Sequence, residues 1–316
     1  MVVADDVSTD GSVEELRRRF PGVRVFAHPE RRGTATTKDF AARQARGDVL
    51  VFLDAHCKPE PGAIARLVED VEALQGRAVV TPRVPALDVG RWENQMHQVG
   101  HGFRVDLETF ACGWVGLERM TPHGEAGGRP LYASPSLIAC CAAMSREAYE
   151  ALRGFDRGLY TWGLEDLDFG LKAWLTGYPV LHDPEPVIGH RFQAGFAGYT
   201  VPTEDVVANK LRIARKHFSD PVWEDWLGRA RVRQPDWPWE AAWALFEAGR
   251  DGLGREREYL LSRRAHDEFW FAERFGLSWP PASLSGRFAP RVMTGPPPPG
   301  ADPPAHAAPG EEPAED

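Results

Sequence analysis

The chain has 316 residues, 43% of them hydrophobic and 26% charged, the balance of a globular protein with ample core. A formal net charge of −9 argues against a nucleic-acid partner. Cys57, Cys112, Cys140 and Cys141 are too few for a disulfide framework and lack zinc-type spacing, and no apolar run reaches the about 18 residues of a membrane span.

Residues 1–4 read as a short strand ending at Asp5-Asp6. Met1 to Asp6 lacks the basic and apolar regions of a signal peptide, so a reducing, cytoplasmic location is expected. Ser12-Val13-Glu14-Glu15 has capping-box spacing, and Val13, Leu16 and Phe20 form a helical stripe. Pro21-Gly22 breaks that helix, residues 23–26 form the next strand, and Thr37 caps a helix through Ala45. Val49-Leu50-Val51-Phe52-Leu53 then forms an apolar, β-branched run, the pattern of a strand buried on both faces of a parallel sheet. It ends in Asp54-Ala55-His56. In extended geometry those two polar side chains share a face. They lie beyond the carboxyl end of a strand, where open α/β sheets bind ligands. A carboxylate beside an imidazole is half of a divalent-metal site; the plainer reading is a strand that has reached solvent. Ile64, Leu67, Val68, Val71 and Leu74 mark another amphipathic helix, and residues 78–81 another strand. The alternation predicts a parallel sheet with right-handed crossovers.

Residues 88–133 read as irregular and rich in Gly, Trp and Phe, a length of loop that usually carries function. Residues 137–144 look like a strand and 146–152 a short helix. From Glu165 a helix runs to Leu175, with Leu167, Leu171, Trp174 and Leu175 on one face and Gly177 as its stop. Residues 180–182 form a strand. Thr203 caps a helix through Phe218 whose second face carries Lys210, Arg212, Arg215 and Lys216. That basic face is either solvated or a peripheral contact to a membrane surface or an acceptor. Residues 221–275 read as helical, packed through Trp223, Trp226, Trp239, Trp243, Phe246, Phe269 and Trp270. The expected organisation is an α/β domain at 1–218, a helical extension at 219–280 and a Pro-rich disordered tail at 281–316.

Asp5/Asp6, Asp54/His56, Glu165/Asp166 and His190 thus stand at strand ends or helix starts. Neither a dinucleotide Gly-x-Gly-x-x-Gly nor a P-loop is present. Acids and histidines without a phosphate-cradling glycine loop suggest that a metal neutralises phosphates.

The segment Val2-Val3-Ala4-Asp5-Asp6-Val7-Ser8-Thr9-Asp10-Gly11-Ser12 resembles the nucleotide-binding segment of family-2-type glycosyltransferases of the GT-A fold. Asp54-Ala55-His56-Cys57 resembles the Asp-x-His metal motif of the polypeptide N-acetylgalactosaminyltransferases. Trp162-Gly163-Leu164-Glu165-Asp166 is similar to their Trp-Gly-x-Glu helix start and to the Glu-Asp motif of family 2. Val187-Ile188-Gly189-His190-Arg191-Phe192 resembles their Val-Gly-His-x-Phe. The likeness spans roughly residues 1–218.

That resemblance implies a GT-A (Rossmann-like), mostly parallel sheet flanked by helices. It implies a metal-dependent glycosyltransferase moving a sugar from a UDP-sugar donor to a hydroxyl of a glycan, lipid or protein acceptor. Asp5 or Asp6 would accept the uracil N3–H; loop capping is their plain alternative. Asp54, His56 and His190 would hold Mn²⁺ or Mg²⁺ in a Lewis-acid role. Lys38 stands where an Arg near the diphosphate is expected, and Trp162 would pack under donor or acceptor. Asp166 would deprotonate the acceptor in an inverting enzyme, whereas Glu165 would contact the donor sugar in a retaining one. Helix-dipole complementarity is the simpler role for both acids. The family has a strand and helix ahead of the strand that begins this sequence, and Ala139-Cys140-Cys141 replaces its Gly-rich donor-sugar loop. Two rivals are a sugar-phosphate nucleotidyltransferase, which needs an N-terminal Gly-rich loop bearing Arg, and a truncated, non-catalytic relative acting as a binding protein.

Overall fold

The computed structural model describes residues 1–192 and 200–285. β1 (Val2–Asp5), α1 (Ser12–Arg19) and β2 (Arg24–Ala27) open the chain, the two strands pairing in parallel from Val2↔Arg24 to Asp5↔Ala27. α1 starts at Ser12 behind a left-handed Gly11 and has no side-chain cap, so the expected capping box is not formed. α2 (Thr34–Gln44) begins before Thr37. Its entry is set instead by Asp6, whose carboxylate accepts the backbone N–H groups of Arg32 (2.6 Å) and Gly33 (2.9 Å).

β3 (Val49–Leu53), β4 (Cys57–Pro59), α3 (Ala63–Ala73) and β5 (Val79–Asp88) follow. Next come β6 (Glu93–Gly100), β7 (Gly102–Asp106), β8 (Ala111–Val115), β9 (Thr121–Ala126), β10 (Arg129–Ala133) and β11 (Cys141–Ser145). The remaining elements are α4 (Arg146–Ala151), α5 (Glu165–Leu175), β12 (Val180–His190), α6 (Thr203–His217), α7 (Asp220–Arg233), α8 (Trp239–Ala248), α9 (Arg250–Arg263) and α10 (Glu268–Arg274).

The main sheet runs β3-β11-β5-β12-β10-β9, with β4 also pairing β12 and β6 pairing β5. It is mixed, which corrects the mostly parallel expectation: within it β5 and β12 are parallel, while β11 is antiparallel to both β3 and β5. Residues 88–133 also fold into strands rather than the irregular loop expected, adding the antiparallel β5–β6 and β9–β10 pairs. Short connections between successive strands impose antiparallel pairing. Their sequences hide this because they are short, Gly-containing and largely exposed, as in β8 (Ala-Cys-Gly-Trp-Val) and β9 (Thr-Pro-His-Gly-Glu-Ala).

β3 is not buried on both faces. Leu50 and Phe52 are buried, Val49 and Val51 are half-buried and Leu53 is 41% exposed; among the described residues β3 pairs on one side only, with β11. α5 occupies the expected span, and Gly177 follows it with φ 86°. The tail expected to be disordered lies outside the described residues from position 286 onward; residues 281–285 hold a single 3₁₀ turn, Ala282–Leu284.

The C-terminal helices share the core of the sheet domain. One apolar cluster runs from Ala35 and Phe52 through Phe155, Phe169 and Leu211 to Trp226, Phe246, Phe271 and Trp279. The basic face expected on α6 is taken up largely by partners within the protein. Lys210 Nζ donates to the Thr109 carbonyl (2.9 Å) and sits over the Trp237 ring, and Arg215 pairs with Asp220. Arg212 and Lys216 are buried. Arg212 grips Asp156 at 2.7 and 2.8 Å, and Lys216 Nζ lies 2.5 Å from both Asp156 and Asp168. His217 Nε2 meets the other side of that network at Asp168 (2.8 Å). Removing one partner from such a buried cluster strands the rest without solvent. Lys216→Ala is therefore expected to lower unfolding stability by about 3–5 kcal/mol, read as a fall in the denaturant midpoint at constant slope; a loss under about 1 kcal/mol would show the cluster to be energetically neutral.

Candidate functional site

Asp54 follows β3 and is pinned by its own N–H, which donates to the Cys140 carbonyl (3.0 Å). The chain then turns sharply, the Cys57 N–H donating to the Asp54 carbonyl (3.2 Å). Asp54 and His56 are therefore neighbours across a turn, not along an extended strand. β4 runs back against β12 in the register His190↔Cys57, and the Arg191 N–H donates to the His56 carbonyl (3.1 Å). This pairing brings His190 to the end of β3. Its Nε2 lies 3.7 Å from Asp54 Oδ2, His56 Nε2 lies 3.9 Å from the same oxygen, and the two imidazoles are 4.6 Å apart.

The second oxygen of Asp54 has another partner. Lys38 Nζ lies 2.9 Å from Oδ1 and also donates to the Ala139 carbonyl (3.0 Å). Burial alone would raise the Asp54 carboxyl; Lys38 and the nearby His190 outweigh it and hold the group well below the usual carboxylate range. Burial likewise works against the Lys38 charge, but Asp54, Glu165 and Asp166 hold that ammonium well above its ordinary value. Burial is the first cause of a lowered His56 pKa, which favours the neutral imidazole, the form that ligates metals.

α5 contributes its first two residues. The turn ahead of it is left-handed at Thr161 (φ 37°), Gly163 (φ 96°) and Leu164 (φ 72°), a conformation that persists only when its surroundings over-determine it. Here Thr161 Oγ1 bonds Asp205, and Asn209 bonds the backbone of both Tyr160 and Gly163. Gly33 packs against this turn so closely that a Cβ there would come within 2.6 Å of the Thr161 carbonyl oxygen. Glu165 is buried. Asp166 Oδ1 accepts the Ala139 N–H at 2.6 Å, so Ala139 ties Lys38 and Asp166 through its two backbone groups. Burial, with the adjacent Glu165 charge, pushes the Asp166 carboxyl up to about 7.

Asp5 and Asp6 act within their own loop. Asp5 accepts the Ser8 N–H (3.1 Å), and Asp6 sets the turn that leads into the helix of Lys38. Trp162, ahead of Glu165 in the turn that opens α5, is 42% exposed. Two further aromatics escaped sequence reasoning. Phe192 packs edge-on against His190 (4.7 Å) and Trp114 against Phe192 (5.7 Å), and both rings are partly exposed. Their only sequence signal was the Trp- and Phe-rich character of the segment holding Trp114 and the motif holding Phe192. Cys57 and Cys140 lie equally close to His190, although nothing in their spacing suggested it.

The residues fit a divalent ion. One ligand atom each from Asp54, His56 and His190 lie within 4.8 Å of one another, and bonds of about 2.0–2.2 Å allow ligand pairs to stand about 3–4.4 Å apart. Asp54 presents one oxygen to the imidazoles while Lys38 holds the other.

Known proteins share this architecture. Residues 1–153 match the family model "Glycosyl transferase family 2", and residues 127–190 match "N-terminal domain of galactosyltransferase". Polypeptide N-acetylgalactosaminyltransferase 3 of Taeniopygia guttata is 26% identical over 234 residues, covering 71% of this chain and 37% of the relative. Polypeptide N-acetylgalactosaminyltransferase 15 of Homo sapiens is 27% identical over 238 residues, covering 72% and 35%. The chain thus spans little more than a third of the length of these relatives. A crystal structure of GalNAc-T7 with UDP, GalNAc and Mn²⁺ superposes with a TM-score of 0.65 at 20% identity, covering 87% of this chain and 50% of that one, a likeness of fold. Residues 1–153 therefore carry a family 2 glycosyltransferase signature on a GT-A fold, and the chain is similar in sequence to the polypeptide N-acetylgalactosaminyltransferases.

Proposed function

We propose that this protein transfers a sugar from a UDP-sugar to a hydroxyl acceptor, with Mn²⁺ held by Asp54, His56 and His190. The observation that carries the reading is the divided Asp54 carboxylate, one oxygen on Lys38 and the other facing two imidazoles. When bound, the ion supplies Lewis-acid stabilisation of the charge on the departing diphosphate. Lys38 adds a fixed positive charge beside it, as a point charge rather than a bidentate fork. Asp5 and Asp6 retain lone pairs beyond their loop bonds, so either can accept the uracil N3–H. Trp162, Trp114 and Phe192 offer aromatic faces to donor or acceptor rings.

Asp166 is the proton acceptor in this reading. Its carboxyl is poised near neutrality, where a general base works best, and the Ala139 N–H fixes one oxygen while leaving the other free to face the acceptor hydroxyl. Glu165, buried beside it, keeps that carboxyl high. The relatives' names make a polypeptide hydroxyl the first acceptor class to test. Ala139-Cys140-Cys141 in place of a glycine loop alters the sugar pocket in this reading.

Calorimetric titration with UDP should give binding heat that depends on Mn²⁺, and Asp54→Ala should weaken the Mn²⁺-dependent binding at least about tenfold. Binding that survives chelation, or an unchanged Asp54→Ala titration, would remove the metal assignment; no binding under any condition would favour a non-catalytic binding protein. Because the Asp166 pKa is raised, its base form is scarce below about 7. The transfer rate should therefore climb between about pH 6 and 8. Asp166→Asn should cost at least about 100-fold and flatten the climb; a wild-type profile already flat over that range would exclude Asp166 as the base.

A further inference from the structure

Beside the Asp54 cluster lies a second donor set of different character. The Cys57 thiol, the Cys140 thiol and one ring nitrogen of His190 lie within 4.8 Å of one another. They come from separate elements. Cys57 opens β4, Cys140 immediately precedes β11, and His190 closes β12. The register His190↔Cys57 and the Cys57 Sγ contact to the Cys140 carbonyl (3.2 Å) hold them together. His190 Nδ1 is buried and has no hydrogen-bond partner among the described residues, although Nε2 faces Asp54. All three residues are half-buried rather than sealed in the core, which leaves an entry path. Cys141, by contrast, is wholly buried in the apolar cluster under α3.

Two thiols and an imidazole select soft, thiophilic ions over Mn²⁺ and Mg²⁺, which prefer oxygen ligands. We propose that Cys57, Cys140 and His190 form a second cation site, taking Zn²⁺ or Cd²⁺, that excludes an ion from the Asp54, His56 and His190 site. On binding, two S–H bonds break, two metal–sulfur bonds form and both protons pass to solvent. Water completes a four-coordinate shell, as at zinc sites with three protein ligands. The exclusion follows from the shared residue: a neutral imidazole has a single ring nitrogen able to ligate, the other carrying its proton. A thiophilic ion therefore withdraws His190 from the diphosphate-side site and acts as an inhibitor. This second half rests on the Mn²⁺ reading above, whereas the thiol site itself does not.

The test uses the full chain, kept reduced by a phosphine. Titration with Cd²⁺ is expected to produce a sulfur-to-metal charge-transfer band that saturates at one ion per chain. Cys57→Ser and Cys140→Ser should each weaken the Cd²⁺ titration at least about tenfold, and Asp54→Asn should leave the band in place. In a parallel arm, Zn²⁺ should release bound Mn²⁺, seen as the return of the free-ion electron paramagnetic resonance signal, and should fail to do so in Cys140→Ser. Absence of the band in the wild-type chain, or a band unaltered in both serine variants, overturns the thiol site. Zn²⁺ and Mn²⁺ bound together overturn the exclusion. Failure of the wild-type chain to bind Mn²⁺ at all counts against the proposed transferase chemistry and against exclusion, and the Cd²⁺ arm still decides the thiol site by itself.

Discussion

One ammonium group makes the site possible. Asp54, Glu165 and Asp166 arrive from the end of a strand and the start of a distant helix, and Lys38 interacts with all three. Like charges in a desolvated space repel strongly, and the first consequence is protonation of one of them. Lys38 settles how that repulsion is resolved. Asp54, in direct contact with the ammonium, is held ionised, while Asp166, bonded to a backbone amide and crowded by Glu165, is left near neutrality. The same geometry keeps one Asp54 oxygen turned toward His56 and His190. Two carboxylates of one residue type are thus driven in opposite directions of protonation by their surroundings.

Rigid supports hold these charges in place. α5 presents Glu165 and Asp166 because its next turn is anchored by Asp168 and Lys172 in the buried network with Lys216, His217 and Glu256. The left-handed turn at 161–164 is braced from one side by Asp205 and Asn209 of α6 and from the other by Gly33. The C-terminal helices therefore do more than extend the domain: α6 reaches the site through its first turns and the shared core through its apolar face. Aromatic stacking of Phe110 with Trp226, and of Trp223 with Phe246, ties the β7–β8 connection and α7 to α8 within that core.

Local signals were legible in the sequence where they depended on local chemistry. The apolar run Val49–Leu53, the span Glu165–Leu175 with its glycine stop, and the aromatic residues of the last helices all follow from periodicity and composition. The strands at 93–133 were not legible, because short, Gly- and Pro-containing segments give too few residues of alternation to read. The basic stripe on α6 misled for a related reason. A helical wheel shows which residues share a face and is silent about what packs there, and buried acids on α5 and in the 156 loop took up Arg212 and Lys216. The start of α2 was misplaced because its stabilising partner, Asp6, is remote in the chain.

By itself, the sequence determined the polar residues at strand ends and helix starts, and their order, because these positions are defined by where apolar runs stop. Only the tertiary structure decided which of them meet. Antiparallel pairing of β4 with β12 carries His190 to Asp54 and His56, and equally to Cys57, while β11 brings Cys140 alongside. Registry between strands more than a hundred residues apart depends on the summed packing and hydrogen bonding of the whole sheet, which no local pattern encodes.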